Sequence, residues 1–174
     1  MHPLYGATAA EDMRERLWRM VKGYREAADL LVEEAEDEPY RRSNLIYPIV
    51  FCYRHSLELG FKQLLEEHGQ AVGGAPEHRD HKLGSIWPRC RKVIEYYNPH
   101  ADAEPLDVIQ TVVGEMSDVD RDSYSFRYAS DTKGQRVELK IESIDLLQLR
   151  AAMAGIHNLL ECVDLQIQSI FDGF

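Results

Sequence analysis

At 174 residues the chain is sized for one domain, which at this length buries about 70% of the surface its unfolded form exposes and needs neither metal nor disulfide to stay folded. Its formal net charge of -10 and pI near 5.1 oppose adsorption to phosphates, which removes duplex DNA from the expected partners. Cys52, Cys90 and Cys162 are odd in number and widely spaced, the pattern of reduced thiols rather than a disulfide frame or zinc cluster. No run reaches the ~18 apolar residues of a membrane span, and Met1 to Tyr5 lacks a leader pattern. The expectation is a cytoplasmic protein without membrane contact, metal or cofactor.

Apolar residues at three- and four-residue steps (Met13, Leu17, Met20 or Val21, Tyr24, Ala28, Leu31) predict a first helix over 9–38, ending before Pro39. Ser43 or Asn44 is the expected cap of a second helix, with Pro48 in its first turn and Gly69 as its stop. QAVGGAPEHRDH reads as a loop, and a third helix follows over 85–97 with Ile86, Cys90, Val93, Ile94 and Tyr97 as its buried stripe. NPHADAEP breaks the chain, and Pro105 opens a fourth helix through Leu106, Ile109, Val112, Val113 and Met116. SYSFRYA and QRVELKIE alternate around SDTKG, predicting a small β-hairpin or extended excursion over about 123–141. Ser143 or Asp145 starts the last helix, whose stripe runs from Leu146 to Ile170. The predicted fold is all-α, an up-and-down bundle of about five helices with that hairpin inserted before the last, in a single domain.

The second helix carries the densest chemistry. Arg54, His55, Glu58 and Lys62 fall within about 100° of arc, and Val50, Tyr53, Leu57, Phe61 and Leu64 lie opposite. Tyr47, Phe51 and Leu65 share the polar quadrant, so that quadrant is expected to be partly buried rather than a solvated charge ladder. HRDHKLGSIWPRCRK concentrates basic residues, a candidate anion site. His78 and His81 could join His68 or Glu58 around a metal, against a surface or capping role. Arg127 alternates with Phe126 and Tyr128; on a strand it either points away from the bundle or turns in to meet Glu58 or Asp120. On the last helix Arg150 and His157 project from one side roughly 10 Å apart, a spacing that can straddle a phosphodiester. No glycine-rich phosphate loop, G-x-S-x-G elbow or H-E-x-x-H signature occurs.

YRHSLELGFKQLL, then HKLGSIW, then SFRY and a closing long helix resemble the HEPN superfamily, the higher eukaryotes and prokaryotes nucleotide-binding domains, from about residue 40 onward. The resemblance implies a bundle of four or five helices, frequently dimeric, found in toxin–antitoxin pairs, phage defence and RNA processing. Many members carry an arginine, usually followed by a polar residue, then a histidine after four to six intervening positions. Arg150 and His157 match the outer limit of that spacing, with Ala151 standing where a polar residue is usual.

The leading expectation is therefore a HEPN-like homodimer that binds a nucleotide or RNA, with an antitoxin or nucleotidyltransferase as partner. Arg54, Lys62, His81, Lys82 and Arg127 would hold phosphate, and His55, Glu58, Arg150 and His157 would carry metal-independent ribonuclease chemistry. The rival from another class is a noncatalytic interaction module in which the charges form a structural network. A third reading is a small-molecule sensor with a pocket lined by Tyr47, Phe51, Tyr53 and Trp87.

Overall fold

The computed structural model describes residues 12–74, 79–120, 125–128, 130, 133–136 and 143–172. These form five α-helices: α1 (Met13–Asp37), α2 (Arg42–His68), α3 (Leu83–Tyr97), α4 (Ala103–Val119) and α5 (Leu146–Asp172). The all-α class is as predicted. Among the described residues no strand forms; Ser130 and Arg136 make an isolated antiparallel bridge, with Gly134 at φ 77° in the turn between them. Ser125 to Arg127 is a turn, and the predicted second arm, 137–141, lies outside the described residues.

α2 is the central helix. Ile49, Val50, Tyr53, Leu57, Phe61, Leu64 and Leu65 are buried, and so are Arg54, Ser56, Glu58 and Gly60. A helix covered on nearly every side must pack against several neighbours, and α2 packs against α1, α3 and α5 while α4 packs on α3. α1 contributes Ala28, Val32 and Ala35 to the core, and the predicted stripe fails only at its first residue, Met13, which is 69% exposed. α3 buries Leu83, Ile86, Trp87, Cys90, Val93 and Ile94, with Trp87 and Phe61 ring centres 5.2 Å apart.

Several helix ends differ from expectation. α2 continues from a 3-10 turn at 39–41 without a side-chain cap from Ser43 or Asn44, so Pro48 sits in its second turn. Gly69 ends α2 with φ -66°, an ordinary value for any residue. A Cβ there would lie 2.5 Å from the Gly74 carbonyl oxygen, and the Gly74 amide donates to Gly69 O at 2.8 Å. Gly69 is thus required by close backbone approach, whereas Gly73, at φ 66°, supplies the left-handed turn. Asp102, three residues before Pro105, caps α4 by accepting from the Glu104 amide, and Asp145 caps α5 through the Gln148 amide.

Candidate functional site

Part of the polar quadrant of α2 is deeply buried. Arg54 is 1% exposed and Glu58 2%. The Arg54 guanidinium donates to Glu58 Oε2 at 3.2 Å, to the His81 carbonyl at 2.7 Å and to the Asp120 carbonyl at 3.3 Å, and lies 3.6 Å from the Asp120 carboxylate. Glu58 Oε1 accepts from Lys62 Nζ at 2.9 Å and faces His81 Nδ1 at 2.8 Å. Asp120 Oδ1 in turn accepts from the Ser125 amide. One helical turn of α2 therefore ties down the loop before α3, the end of α4 and the start of the segment after it. Burial pushes the Glu58 carboxyl upward, but hydrogen bonds and charge from Lys62 and His81 outweigh it and hold the pKa below its ordinary value. Removing Arg54 or Glu58 would break this buried network but leave a charged partner in place, Lys62 for Glu58 and Asp120 for Arg54, so the loss is expected to stay below the ~3–5 kcal/mol of a buried charge left bare.

The remaining expected phosphate ligands divide. Lys62 and His81 are engaged with Glu58, Lys82 is exposed and its amide donates to Asp80, and Arg127 is exposed over aromatic rings. The Arg127 guanidinium carbon lies 5.8 Å from the Phe51 ring centre and 5.4 Å from that of Tyr128. His55 stacks on Phe51 at 5.5 Å and meets the edge of Tyr24 at 4.6 Å. Its pKa is lowered, first by burial and then by Arg127, Arg54 and Lys62 against the opposing pull of Glu58. Phe126 is buried, as expected, but Tyr128 is 49% exposed because the chain turns there.

Arg150 and His157 occupy a different region, along the face of α5 toward α1. Arg150 donates to Glu33 at 2.8 Å and approaches Asp29 at 3.5 Å. His157 is 3% exposed, with Nε2 3.0 Å from Ser56 Oγ. Burial, with a contribution from Arg25 and against Asp29, lowers its pKa to about 4. The spacing that suggested a shared phosphate instead places one side chain in a surface ion pair and the other in the core. Glu58 pairs with Arg54 and His81 and His55 stacks on Phe51, whereas Arg150 pairs with Glu33 and His157 faces Ser56, so the expected catalytic set divides into two clusters.

Two cavities flank α2. One, of about 720 Å³, lies between α4 and α5 with Val50, Arg54 and Phe126 beneath, Val112 and Met116 on one wall and Leu149 on the other. Glu115, Asp118 and Asp145 also border it. The other, of about 220 Å³, is bordered by α1, α2 and α5, with Trp18, Gly60, Glu67, His157, Leu160 and Asp164 on its walls. Tyr47, Phe51, Tyr53 and Trp87 line neither; Tyr53 and Trp87 are fully buried core and Tyr47 is 45% exposed. Of the histidines weighed for a metal site, His81 faces Glu58, His68 faces Asp164, and His78 lies outside the described residues.

Sequence reasoning missed the α4–α5 groove and the Glu67, His68 and Asp164 cluster, because each joins residues far apart in the chain and nothing in local spacing announces them. Compared with family models, with characterised proteins and with solved structures, the chain matches none. No helix among the described residues is long and apolar enough to cross a membrane.

Proposed function

We propose that this chain is a noncatalytic helical interaction module, and that the groove between α4 and α5 takes an apolar, basic-flanked segment of a partner polypeptide. The observation that carries this reading is the groove itself: about 720 Å³, mostly apolar along its walls, with Arg54 in its base and Glu115, Asp118 and Asp145 at its borders. Apolar contact supplies affinity in such a groove and the acidic border selects lysine or arginine in the guest. The buried Arg54, Glu58 and Asp120 network then acts as a rigid base, fixing where α4 ends relative to α2. An antitoxin or nucleotidyltransferase, the partner class expected from the HEPN resemblance, would present the segment.

A specific observation favours nucleotide or RNA binding as a second reading. Phe51, His55, Arg127 and Tyr128 form a ring-and-guanidinium patch of the kind on which unstacked bases rest. Cleavage draws no support from Arg150 and His157, since one is held by Glu33 and the other is buried and neutral at physiological pH.

Selection of displayed peptides against the purified chain tests the two readings together with titration of a short single-stranded RNA. The expected outcome is enrichment of apolar peptides carrying Lys or Arg, with binding abolished by Ala152→Arg, which projects into the groove, and kept by Arg127→Ala. Failure to select such peptides, or binding that survives Ala152→Arg, overturns the interaction reading. RNA binding lost in Arg127→Ala would install the second reading in its place.

A further inference from the structure

Glu67 and His68 close α2, and Asp164 faces them from α5. His68 Nε2 is 2.9 Å from Asp164 Oδ1 and 3.8 Å from Glu67 Oε2, and one ligand-capable atom of each residue lies within 4.8 Å of the other two. We propose that these three side chains form a binding site for a divalent transition-metal cation, with Zn²⁺ and Mn²⁺ best suited to one imidazole and two carboxylates.

Four features of the surroundings support the assignment. The His68 side chain is only 7% exposed, so its imidazole is fixed toward the carboxylates rather than sampling solvent. Its orientation is reinforced by Tyr97, whose ring meets it edge-on at 6.0 Å. Glu67 and Asp164 belong to helices that the core holds together, and two carboxylates held this close beside one imidazole favour a cation between them. Supporting hydrogen bonds orient both carboxylates, from Gln63 Nε2 to Glu67 Oε1 at 3.1 Å and from Gln168 Nε2 to Asp164 Oδ2 at 2.7 Å, in the manner of outer-shell partners of metal ligands.

Glu67 and Asp164 also border the 220 Å³ cavity, which provides an entry path and room for water to complete the coordination. The competitor is Arg14, which donates to both Glu67 oxygens at 2.9 Å. Its side chain is 55% exposed, but the pair is bidentate to a largely buried carboxylate, so Arg14 competes with the ion for Glu67. A dication held by three ligands displaces it.

Calorimetric titration of Zn²⁺ and of Mn²⁺ into the untagged full chain tests the site. One ion per chain is expected, bound at least about tenfold more weakly by His68→Ala and by Asp164→Asn and more tightly by Arg14→Ala, with His100→Ala unchanged. Arg14 is on the surface, so its variant reads the site even if His68→Ala fails to fold. Absence of saturable binding, binding indifferent to His68→Ala and Asp164→Asn, or Arg14→Ala binding no more tightly than the parent chain would each overturn the proposal.

Discussion

At His157, burial lowers the imidazole pKa to about 4, while the unfolded chain titrates near the ordinary 6.5. The unfolded state therefore takes up its proton first as pH falls. Stability is fully present above 6.5 and declines as pH drops toward 4, an effect on the order of 3 kcal/mol when complete. Glu58 acts lower on the scale: its folded pKa is below the ordinary 4.5, so its contribution is present above that value and is lost as pH falls through the lowered one. Urea unfolding measured between about pH 7.5 and about pH 5 is expected to show falling stability, and His157→Gln, which keeps a partner for Ser56 but does not titrate, should flatten the slope. An unchanged slope in His157→Gln would show that the loss arises elsewhere. The α2 quadrant was legible in advance, because a 3.6-residue period assigns Arg54, Glu58 and Lys62 to one side and three large apolar residues there imply burial. Asp120 was read in advance only as a partner for Arg127; that it pairs with Arg54 was not legible, since the chain must reverse through α3 and α4 to bring it back.

Among the elements, α2 shows how one glycine can be required for space and another for conformation. Gly69 has helical backbone angles, so helix propensity alone would favour alanine there by about 1 kcal/mol. The Gly74 carbonyl within 2.5 Å of a Cβ reverses that sign. Gly69→Ala is expected to lower stability, whereas Gly60→Ala, whose nearest neighbour is the Leu160 methyl at an ordinary 3.4 Å, should be neutral or slightly stabilising. Thermal denaturation of the two variants checks the contrast, and equal melting temperatures would refute it. Helix existence was readable from apolar periodicity in every case, and α3 and α5 kept most of their predicted stripes. The hairpin prediction fared differently: alternation around SDTKG is the same signal whether a chain forms a ladder or a looped excursion, and the described residues make one bridge there.

For the whole molecule, net charge of -10 and an acidic groove border act together against a phosphate-rich partner and for a basic one. The homodimer implied by the HEPN resemblance has a candidate surface in the edge-to-edge row Tyr96, Tyr97 and Phe171, in which Tyr96 is 59% and Phe171 60% exposed. Sedimentation velocity is expected to give a dimer that Phe171→Asp converts to monomer; a monomeric parent chain would remove that expectation. From the sequence alone come the helical class, the approximate span of each helix and the meeting of charges on α2, because all three follow from local periodicity and side-chain type. Tertiary packing decided that Arg150 and His157 part company, that Glu67, His68 and Asp164 meet, and that α4 and α5 leave a groove between them. Those outcomes depend on which helix faces lie against one another, a property of interhelical packing that intervals along a single chain do not encode.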